Sequence, residues 1–291
     1  MSTMTPHELV ATRCICCDGD NLSSTPAIVM PFVAWRVFGH TPVEITPEWG
    51  MRDLKTGTSY TVCRSLECRD CGVVFLDDRF TDAQMASLYE DYRDERYLRE
   101  RIGYEPGFVS VYDERHAYLD TVEEWLAPHV PARPAVLDFG GSDGANSPFL
   151  GRAEYLHIHD ISGVETVDGT ERADPARFGT VHYDLVSCIE TLEHVPWPAD
   201  TLAQVIPALD ENSLFYVEMP YEELMTRELP FGTAGALKHH WHEHINFYSR
   251  ESVRTLLRRA GLEIVAEHQI PVDIGYGVKF TQGYLTRLAR N

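Results

Sequence analysis

In the second half of the chain, apolar residues form short continuous runs that end in acidic or small residues. Ala135–Phe139 is apolar except for one aspartate, and the glycine-rich stretch GGSDG follows it directly. A short apolar run that is followed by glycines is typical of a buried parallel strand. A second strand is predicted at Tyr155–Ile158, with a helix near Ala145–Leu150 between the two. The pattern therefore predicts a β-α-β unit and an α/β fold class.

Two other stretches have helical spacing. Between positions 82 and 126, Leu, Tyr and Val recur every three to four residues, and Pro106-Gly107 divides the stretch into two predicted helices. Closer to the C-terminus, Ser249 is a predicted N-cap and Gly261 a predicted stop. The apolar face of that helix consists of Val253, Leu256, Leu257 and Ala260.

Composition and charge restrict the possible partners. The chain has 25 basic and 45 acidic residues, a net charge of −20. Such a field repels nucleic acids and anionic membranes, so neither is an expected partner. No apolar stretch approaches 18 residues, and the first residues lack the basic start and apolar run of a signal peptide. We therefore expect a cytoplasmic protein.

Six of the seven cysteines fall within the first 71 residues. They include two CxxC pairs, Cys14 with Cys17 and Cys68 with Cys71. Two such turns supply four thiolates to one tetrahedral metal, which favours a structural zinc ion because no coordination position is left open. Cys16 or Cys63 could replace one of these ligands. The alternative is a set of unrelated buried thiols.

The loop after the first strand favours a nucleoside ligand. A dinucleotide fingerprint would need glycines at two positions that hold Ser142 and Ala145, and the lysine of a P-loop is absent. Asp160 lies 22 residues after Asp138, at the tip of the second predicted strand. An acid at this position accepts hydrogen bonds from ribose hydroxyls. The alternative is that Asp160 only begins a turn.

Four motifs in order resemble a known family. The stretches VLDFGGSDG, YDLVSCIETLEHVPWP and LFYVEMP, with Asp160 between the first two, resemble successive motifs of the class I S-adenosylmethionine (SAM) methyltransferases, over roughly residues 135–268. The resemblance implies further strands at Tyr183–Cys188 and Leu214–Met219. It also implies a Rossmann-like methyltransferase sheet.

The same resemblance implies the SAM-binding residues, which are Asp138, Gly140, Gly141, Asp160 and Glu190. The first three would lie near the methionine part of SAM, Asp160 at the ribose and Glu190 near the methionyl end. Ser142 departs from the glycine that is usual in the family. Asp168 and Asp174 are both candidates for the acid that contacts adenine.

A histidine-rich stretch, HHWHEHINFY at positions 239–248, follows the last of these predicted strands. Open α/β sheets bind substrates at the edge formed by the carboxyl ends of their strands, where this stretch is expected. His244, oriented by Glu243, could act as a general base toward the methyl acceptor. A metal site and a packing cluster are the alternatives, although the spacing is not that of a helical HExxH zinc site.

The HEHINFYS stretch together with the two CxxC pairs resembles methyltransferases that carry an N-terminal zinc-binding domain, known for nucleotide-sugar C-methyltransferases. In that subgroup the histidine of a Tyr-x-Glu-His stretch acts as the base, whereas Trp241 replaces the tyrosine here. The subgroup also has a further C-terminal domain, and about thirty residues follow Gly261 in this sequence. Methylation of oxygen, nitrogen or carbon therefore stays open. Tyr89 or Tyr92 is expected to reach the substrate pocket.

We therefore predict a zinc-binding domain with a β-rich insertion at 1–80, a helical connector or lid at 81–134, and a SAM-binding domain at 135–291. The predicted function is SAM-dependent methylation of a small-molecule acceptor, such as a sugar, a nucleotide sugar, or a natural-product or polysaccharide precursor. A non-catalytic SAM-fold module used for protein interaction is the alternative. A nicotinamide oxidoreductase is disfavoured by the loop pattern.

Overall fold

The computed structural model describes residues 9–50, 52–92, 94–104, 118–273 and 278–290. The strands in these ranges are β1 (Leu22–Val29), β2 (Val43–Ile45), β3 (Gly57–Ser59), β4 (Val62–Cys68), β5 (Val74–Leu76), β6 (Ala135–Phe139), β7 (Tyr155–His159), β8 (Glu171–Arg172), β9 (Leu185–Ile189), β10 (Leu214–Pro220), β11 (His240–Trp241), β12 (Asn246–Phe247), β13 (Leu262–Asp273) and β14 (Val278–Leu288). The α-helices are α1 (Pro31–Phe38), α2 (Asp82–Leu88), α3 (Glu95–Tyr104), α4 (Tyr118–Leu126), α5 (Pro198–Val205), α6 (Thr233–Leu237) and α7 (Arg250–Arg259).

The larger sheet has seven strands in the order β13-β14-β10-β9-β6-β7-β8. The five strands from β10 to β8 are parallel, and β14 and β13 add to β10 in antiparallel pairing. The chain runs outward from β6 to β7 and β8, and then returns to the other side of β6 with β9. Ligands of open α/β sheets bind where the strand order reverses in this way, outside the carboxyl ends of the strands. The predicted Rossmann-like α/β class is confirmed.

All four strands expected from the sequence form, and their side chains are largely buried because both faces of a parallel sheet are covered. The helix expected near Ala145–Leu150 is wrong, since these residues form turns. Phe149 adopts a left-handed backbone (φ 62°), and its N–H donates to the Glu123 carboxylate. Ser147 is held by a hydrogen bond to the Asp138 carboxylate. These tertiary contacts replace the ladder of a helix.

The smaller sheet joins distant parts of the sequence. Its order is β11-β1-β4-β5-β12, so two short strands from positions 240–247 form its two edges. Main-chain hydrogen bonds therefore connect the cysteine-containing segment to the histidine-rich stretch. This one sheet therefore combines strands from before residue 80 with strands from after residue 134, the two domain boundaries predicted from the sequence.

Two helices begin at a capping side chain, and the one at Ser249 was predicted from the sequence. Ser249 accepts a hydrogen bond from the Ser252 N–H at the start of α7, and Gly261 follows its end with φ 78°. Thr81 and Gln84 form a reciprocal capping box at the start of α2. The segment from 82 to 126 contains α2, α3 and α4, and the break predicted at Pro106-Gly107 lies outside the described residues.

In the ranges that the structure describes, every helix is too short or too polar to span a lipid bilayer.

Candidate functional site

The glycine-rich loop after β6 leaves no space for side chains at its first two positions. A Cβ atom at Gly140 would lie 2.3 Å from Thr191 Oγ1, and one at Gly141 would lie 2.4 Å from Asp138 Oδ2. Gly140 also has φ 87°, a conformation that favours glycine. The loop is therefore built from bare backbone at the carboxyl edge of the sheet, where N–H groups can approach a ligand closely.

Asp138 supports this loop from below. It is 3% exposed, and its two carboxylate oxygens accept hydrogen bonds from Ser147 Oγ at 2.5 Å and Ser187 Oγ at 2.7 Å. Burial raises the pKa of Asp138 to about 6, against the opposing effect of these two hydrogen bonds. Asp138 thus fixes the loop, while the outer surface of the loop belongs to Gly140 and Gly141.

Asp160 connects the second strand to the same loop. Its carboxylate accepts hydrogen bonds from the N–H of Ser142 at 2.9 Å and the N–H of Ser162 at 2.7 Å. Each carboxylate oxygen has a second lone pair, so further hydroxyl groups can still be bound. Ser142 has φ 54°, an uncommon backbone conformation for serine. It occupies the position at which glycine is usual in the methyltransferases that the sequence resembles.

The two candidates for the adenine contact differ in position. Asp174 lies two residues beyond β8, the strand next to β7, and its side chain accepts a hydrogen bond from the Ala176 N–H. Asp168 is an exposed residue in a turn before β8. Asp174 thus follows β8 at the carboxyl edge of the sheet, while the neighbour of Asp168, Val167, donates to the Asp143 carbonyl of the glycine-rich loop at 2.8 Å.

Two buried glutamates and one half-buried glutamate converge near the ends of β9 and β10. Glu193 and Glu218 are 1% and 0% exposed, and Glu190 has a left-handed backbone (φ 49°) with its N–H bonded to the Glu218 carbonyl. Among the described residues, one carboxylate oxygen of Glu190, one of Glu218 and both of Glu193 lack a well-formed hydrogen bond. Buried acids without partners and strained backbone are features of functional sites.

Burial dominates the electrostatics of this group. It raises the pKa of Glu190 well above its usual value, and the charges of Glu193 and Glu218 raise it further. Burial also raises the pKa of Glu193 to about 7, opposed by the charge of His244. It raises the pKa of Glu218 to about 7, against the hydrogen bonds to its carboxylate. Near neutral pH, Glu193 and Glu218 are therefore close to their pKa values.

His244 pairs with a different acid from the one expected. Its Nδ1 lies 3.0 Å from Glu222 Oε1, just beyond β10. The predicted orientation of His244 by Glu243 is wrong, because the Glu243 carboxylate accepts hydrogen bonds from Tyr97 and from Arg101, the latter at 2.8 Å. Glu243 lies in a bend of the chain, and its side chain faces α3 while the side chain of His244 faces Glu222.

No role was predicted for His194, yet it lies beside His244. The two rings are 4.7 Å apart between centroids, and His194 Nε2 lies 3.5 Å from Glu193 Oε1. His194 Nδ1 contacts the Tyr89 hydroxyl at 2.7 Å and the Glu243 carbonyl at 3.2 Å. The TLEHV stretch beyond β9, which contains His194, was the signal in the sequence that could have identified this residue. The neighbouring residues do not indicate that His194 contacts His244.

Main-chain contacts hold the two stretches together. The Glu193 carbonyl accepts hydrogen bonds from the N–H groups of Ile245 and Asn246 at 2.8 and 3.1 Å. The buried Asn246 side chain donates to the carbonyls of Leu192 and Val195. We call Glu190, Glu193, His194, Glu222 and His244 the carboxylate–imidazole cluster.

The predicted pocket tyrosines lie beside this cluster. The Tyr89 ring packs edge-on against His194, with 5.9 Å between centroids, and Tyr92 packs against Tyr89 and Tyr97. In this structure Tyr89 contacts the cluster through its hydroxyl, whereas Tyr92 supports Tyr89 from behind. The helical segment thus contributes directly to this edge of the sheet.

The four cysteines of the two CxxC pairs come together at one end of the smaller sheet, and all four sulfurs lie within 4.8 Å of one another. Cys14 Sγ and Cys71 Sγ are 3.5 Å apart, as are Cys17 Sγ and Cys68 Sγ. We call these four residues the cysteine cluster. Cys16 is buried next to them, whereas Cys63 belongs to the separate core around α1.

Comparisons with known proteins agree on the class of domain. A family model described as a methyltransferase domain matches residues 111–267. The chain is 25% identical over 159 residues to the C-methyltransferase NovU of Streptomyces niveus, which covers 50% of this chain and 36% of that protein. The chain therefore matches about a third of the length of this relative.

Solved structures of methyltransferases are also similar. The glycopeptide N-methyltransferase MtfA complexed with sinefungin has 16% identity and a TM-score of 0.44, covering 63% of this chain and 97% of its own. The magnesium protoporphyrin IX methyltransferase ChlM of Synechocystis PCC 6803 with bound SAH has 18% identity and a TM-score of 0.45, covering 70% and 99%. Because the family model matches more than half of the residues, this chain belongs to the methyltransferase domain family.

Proposed function

We propose that this protein is a SAM-dependent methyltransferase that acts on a small-molecule acceptor. The observation that carries the proposal is the bond between Asp160 and the Ser142 N–H, which joins the acid beyond β7 to the bare loop beyond β6. This arrangement combines a ribose-binding carboxylate with backbone that a ligand can approach closely.

The residues present fit SAM. The loop stays bare at Gly140 and Gly141, where a Cβ atom would collide with Thr191 and Asp138, and Asp160 keeps lone pairs for the ribose hydroxyls. The unpartnered oxygen of Glu190 suits the positively charged methionyl end. We propose that Asp138 holds the loop in shape and that Asp174 is the acid near adenine. When bound, SAM supplies an electrophilic methyl group on a sulfonium, and the protein aligns the acceptor with it.

We further propose that His244 is the proton acceptor and that Glu222 orients it. Burial lowers the pKa of His244, but the hydrogen bond to Glu222 and the neighbouring carboxylate charges outweigh burial and raise it overall. The Glu222 carboxylate stabilises the imidazolium that forms when His244 takes a proton. Glu243 would act indirectly, by holding the histidine-rich stretch against α3 through its hydrogen bond from Arg101.

The acceptor that we propose is a sugar, a nucleotide sugar, or a natural-product or polysaccharide precursor. Support comes from the relative NovU, whose name gives it as a C-methyltransferase. A histidine base serves either a hydroxyl or an acidic carbon, because both lose a proton when they are methylated. The chemistry of the cluster is therefore compatible with O-, N- or C-methylation.

For the cysteine cluster we propose one structural zinc ion, bound by Cys14, Cys17, Cys68 and Cys71. Four sulfurs within 4.8 Å of one another, on two short turns, suit tetrahedral thiolate coordination. Such a site has no open position for a substrate. Its role would be to stabilise the smaller sheet, which in turn holds the histidine-rich stretch through β11 and β12.

Calorimetry with SAM tests the central proposal. The wild-type chain should bind SAM, and Asp160→Ala should weaken binding by about 1–3 kcal/mol, roughly 5- to 150-fold, because the ribose hydroxyls lose their acceptor. Glu165→Ala removes an exposed acid from the following segment and should leave affinity unchanged. Absence of SAM binding to the wild type would favour a non-catalytic interaction module instead.

A further inference from the structure

The carboxylate–imidazole cluster contains three residues with the composition of a metal site. One donor atom from each of Glu193, His194 and His244 lies within 4.8 Å of the others. Donors around one tetrahedral zinc-like ion lie about 3.3–3.6 Å apart, since each bond is about 2.0–2.2 Å long. A pair of donor atoms at the 4.8 Å limit would therefore have to approach by roughly 1.2–1.5 Å, which side-chain rotation can supply.

The hydrogen bonds of the two histidines leave the same ring nitrogen available in each. His194 Nδ1 lies 3.2 Å from the Glu243 carbonyl, which only accepts, and 2.7 Å from the Tyr89 hydroxyl, which can also accept. With the proton on Nδ1, both contacts are satisfied and Nε2 keeps its lone pair. His244 Nδ1 faces the Glu222 carboxylate, with the same consequence. A carboxylate or carbonyl that holds Nδ1 is the usual outer partner of a metal-binding histidine, because it fixes the ring and its tautomer.

Glu193 supplies the negative charge. It is 1% exposed, and neither of its carboxylate oxygens has a well-formed hydrogen bond among the described residues. His194 Nε2 lies 3.5 Å from Glu193 Oε1, so the carboxylate and this ring nitrogen face the same small space. A buried carboxylate without a partner is costly, and a cation would remove that cost.

We propose that Glu193, His194 and His244 bind a divalent cation of the zinc or ferrous class, at a site distinct from the cysteine cluster. Two imidazoles and one carboxylate select such ions over magnesium or calcium, which prefer all-oxygen ligands. Three protein ligands leave a coordination position open for water or an acceptor oxygen. The inference goes beyond the proposed methyltransferase function, since it concerns binding of the metal alone.

The cation and a proton compete for the same lone pair of His244. Turnover that uses His244 as a free base should therefore fall as the site fills. A rise in turnover would support the metal site and overturn the role of His244 as a free base.

Cobalt titration of the full-length chain tests the proposal. With zinc in the cysteine cluster, added Co²⁺ should bind in one further equivalent and give visible d–d absorption without thiolate-to-cobalt charge transfer. Glu193→Gln and His194→Ala should each weaken this binding by at least about 100-fold, more than the 10- to 100-fold typical of outer partners. Bound zinc and circular dichroism establish that the variants are folded.

Glu190→Gln is the matched control, because it removes one negative charge from the same cluster without removing a ligand. It should leave cobalt affinity within a few-fold of the wild type. The proposal is overturned if the wild type binds no equivalent beyond the cysteine cluster, or if Glu190→Gln and Glu193→Gln weaken binding equally. If the cobalt equivalent is present but SAM does not bind, the proposed function fails and the metal site stands.

Discussion

The cysteine cluster and the carboxylate–imidazole cluster both gather potential metal ligands, but they are assembled at different ranges along the chain. The four cysteines occupy two turns, and each pair is separated by two residues. The other cluster combines residues that follow β9, residues that follow β10, and residues of the stretch between β11 and β12. The first depends on local turns, whereas the second depends on the order of strands in two sheets.

The two clusters also differ in what they contribute to stability. A structural zinc ion stabilises the fold that binds it, since no such site exists in the unfolded chain. The buried glutamates of the second region have raised pKa values because burial disfavours their charged form. At neutral pH they therefore destabilise the fold unless a cationic ligand is present. The comparison suggests a scaffold maintained by one cluster and a reactive region at the other.

The largest effect is expected in the cysteine cluster. Cys68→Ser should remove the bound zinc, about one equivalent per chain, and should destabilise the smaller sheet by several kcal/mol because metal binding is coupled to folding. Elemental analysis and thermal denaturation measure the two effects. Cys16→Ser is the control, since that thiol is buried beside the cluster but is not one of the four grouped sulfurs. Loss of zinc in the control would change the ligand assignment.

The next effect concerns chemistry rather than folding. His244→Ala should lower kcat by about 100-fold or more while leaving SAM affinity nearly unchanged, because a positioned base contributes roughly 10²–10⁴-fold. Steady-state kinetics with the true acceptor, together with calorimetry, separates the two quantities. His240→Ala, at an exposed position of the same stretch, should behave like the wild type. Near-normal kcat in His244→Ala would mean that alignment alone drives the reaction.

A smaller effect is expected at the partner of that base. Glu222→Gln should reduce kcat by about tenfold and lower the pKa of His244, because the Glu222 hydrogen bond and charge raise it. His244 accepts a proton only when neutral, so activity rises with pH through its pKa. The acidic limb of the pH–rate profile should therefore move to lower pH. An unchanged limb would show that another group sets it.

The smallest effect is a gain in stability at Glu218. Its pKa is about 7 in the folded chain against a usual 4.5, so its proton stabilises the fold at low pH. This contribution is complete below about pH 4.5 and is lost as pH rises through 7. Glu218→Gln should therefore stabilise the ligand-free protein by about 1 kcal/mol at pH 8.

Thermal denaturation at pH 8 and pH 5 checks this prediction. The difference between Glu218→Gln and the wild type should shrink at pH 5, where Glu218 is protonated in the folded state. Glu211→Gln makes the same charge change at an exposed site and should have little effect at either pH. A stabilisation that does not depend on pH would indicate a packing effect instead.

Local patterns in the sequence were sufficient for much of the framework. A buried apolar run predicts β6, and the following glycines predict a loop that lacks side chains, because both depend on neighbouring residues. The N-cap at Ser249 and the CxxC pairs follow for the same reason. The 22-residue spacing from Asp138 to Asp160 spans one β-α-β unit, which is still a short-range feature, and Asp160 does bond to the loop.

Only the tertiary structure decided which distant side chains meet. Glu243 directly precedes His244 in the chain, yet at the bend of residue 243 its carboxylate lies against Arg101, while His244 pairs with Glu222. Residues 145–150 form turns because Ser147 and Phe149 are held by buried carboxylates from other segments. Sequence spacing fixes which side of a segment a residue faces, but the packing of sheets and helices determines what lies on that side.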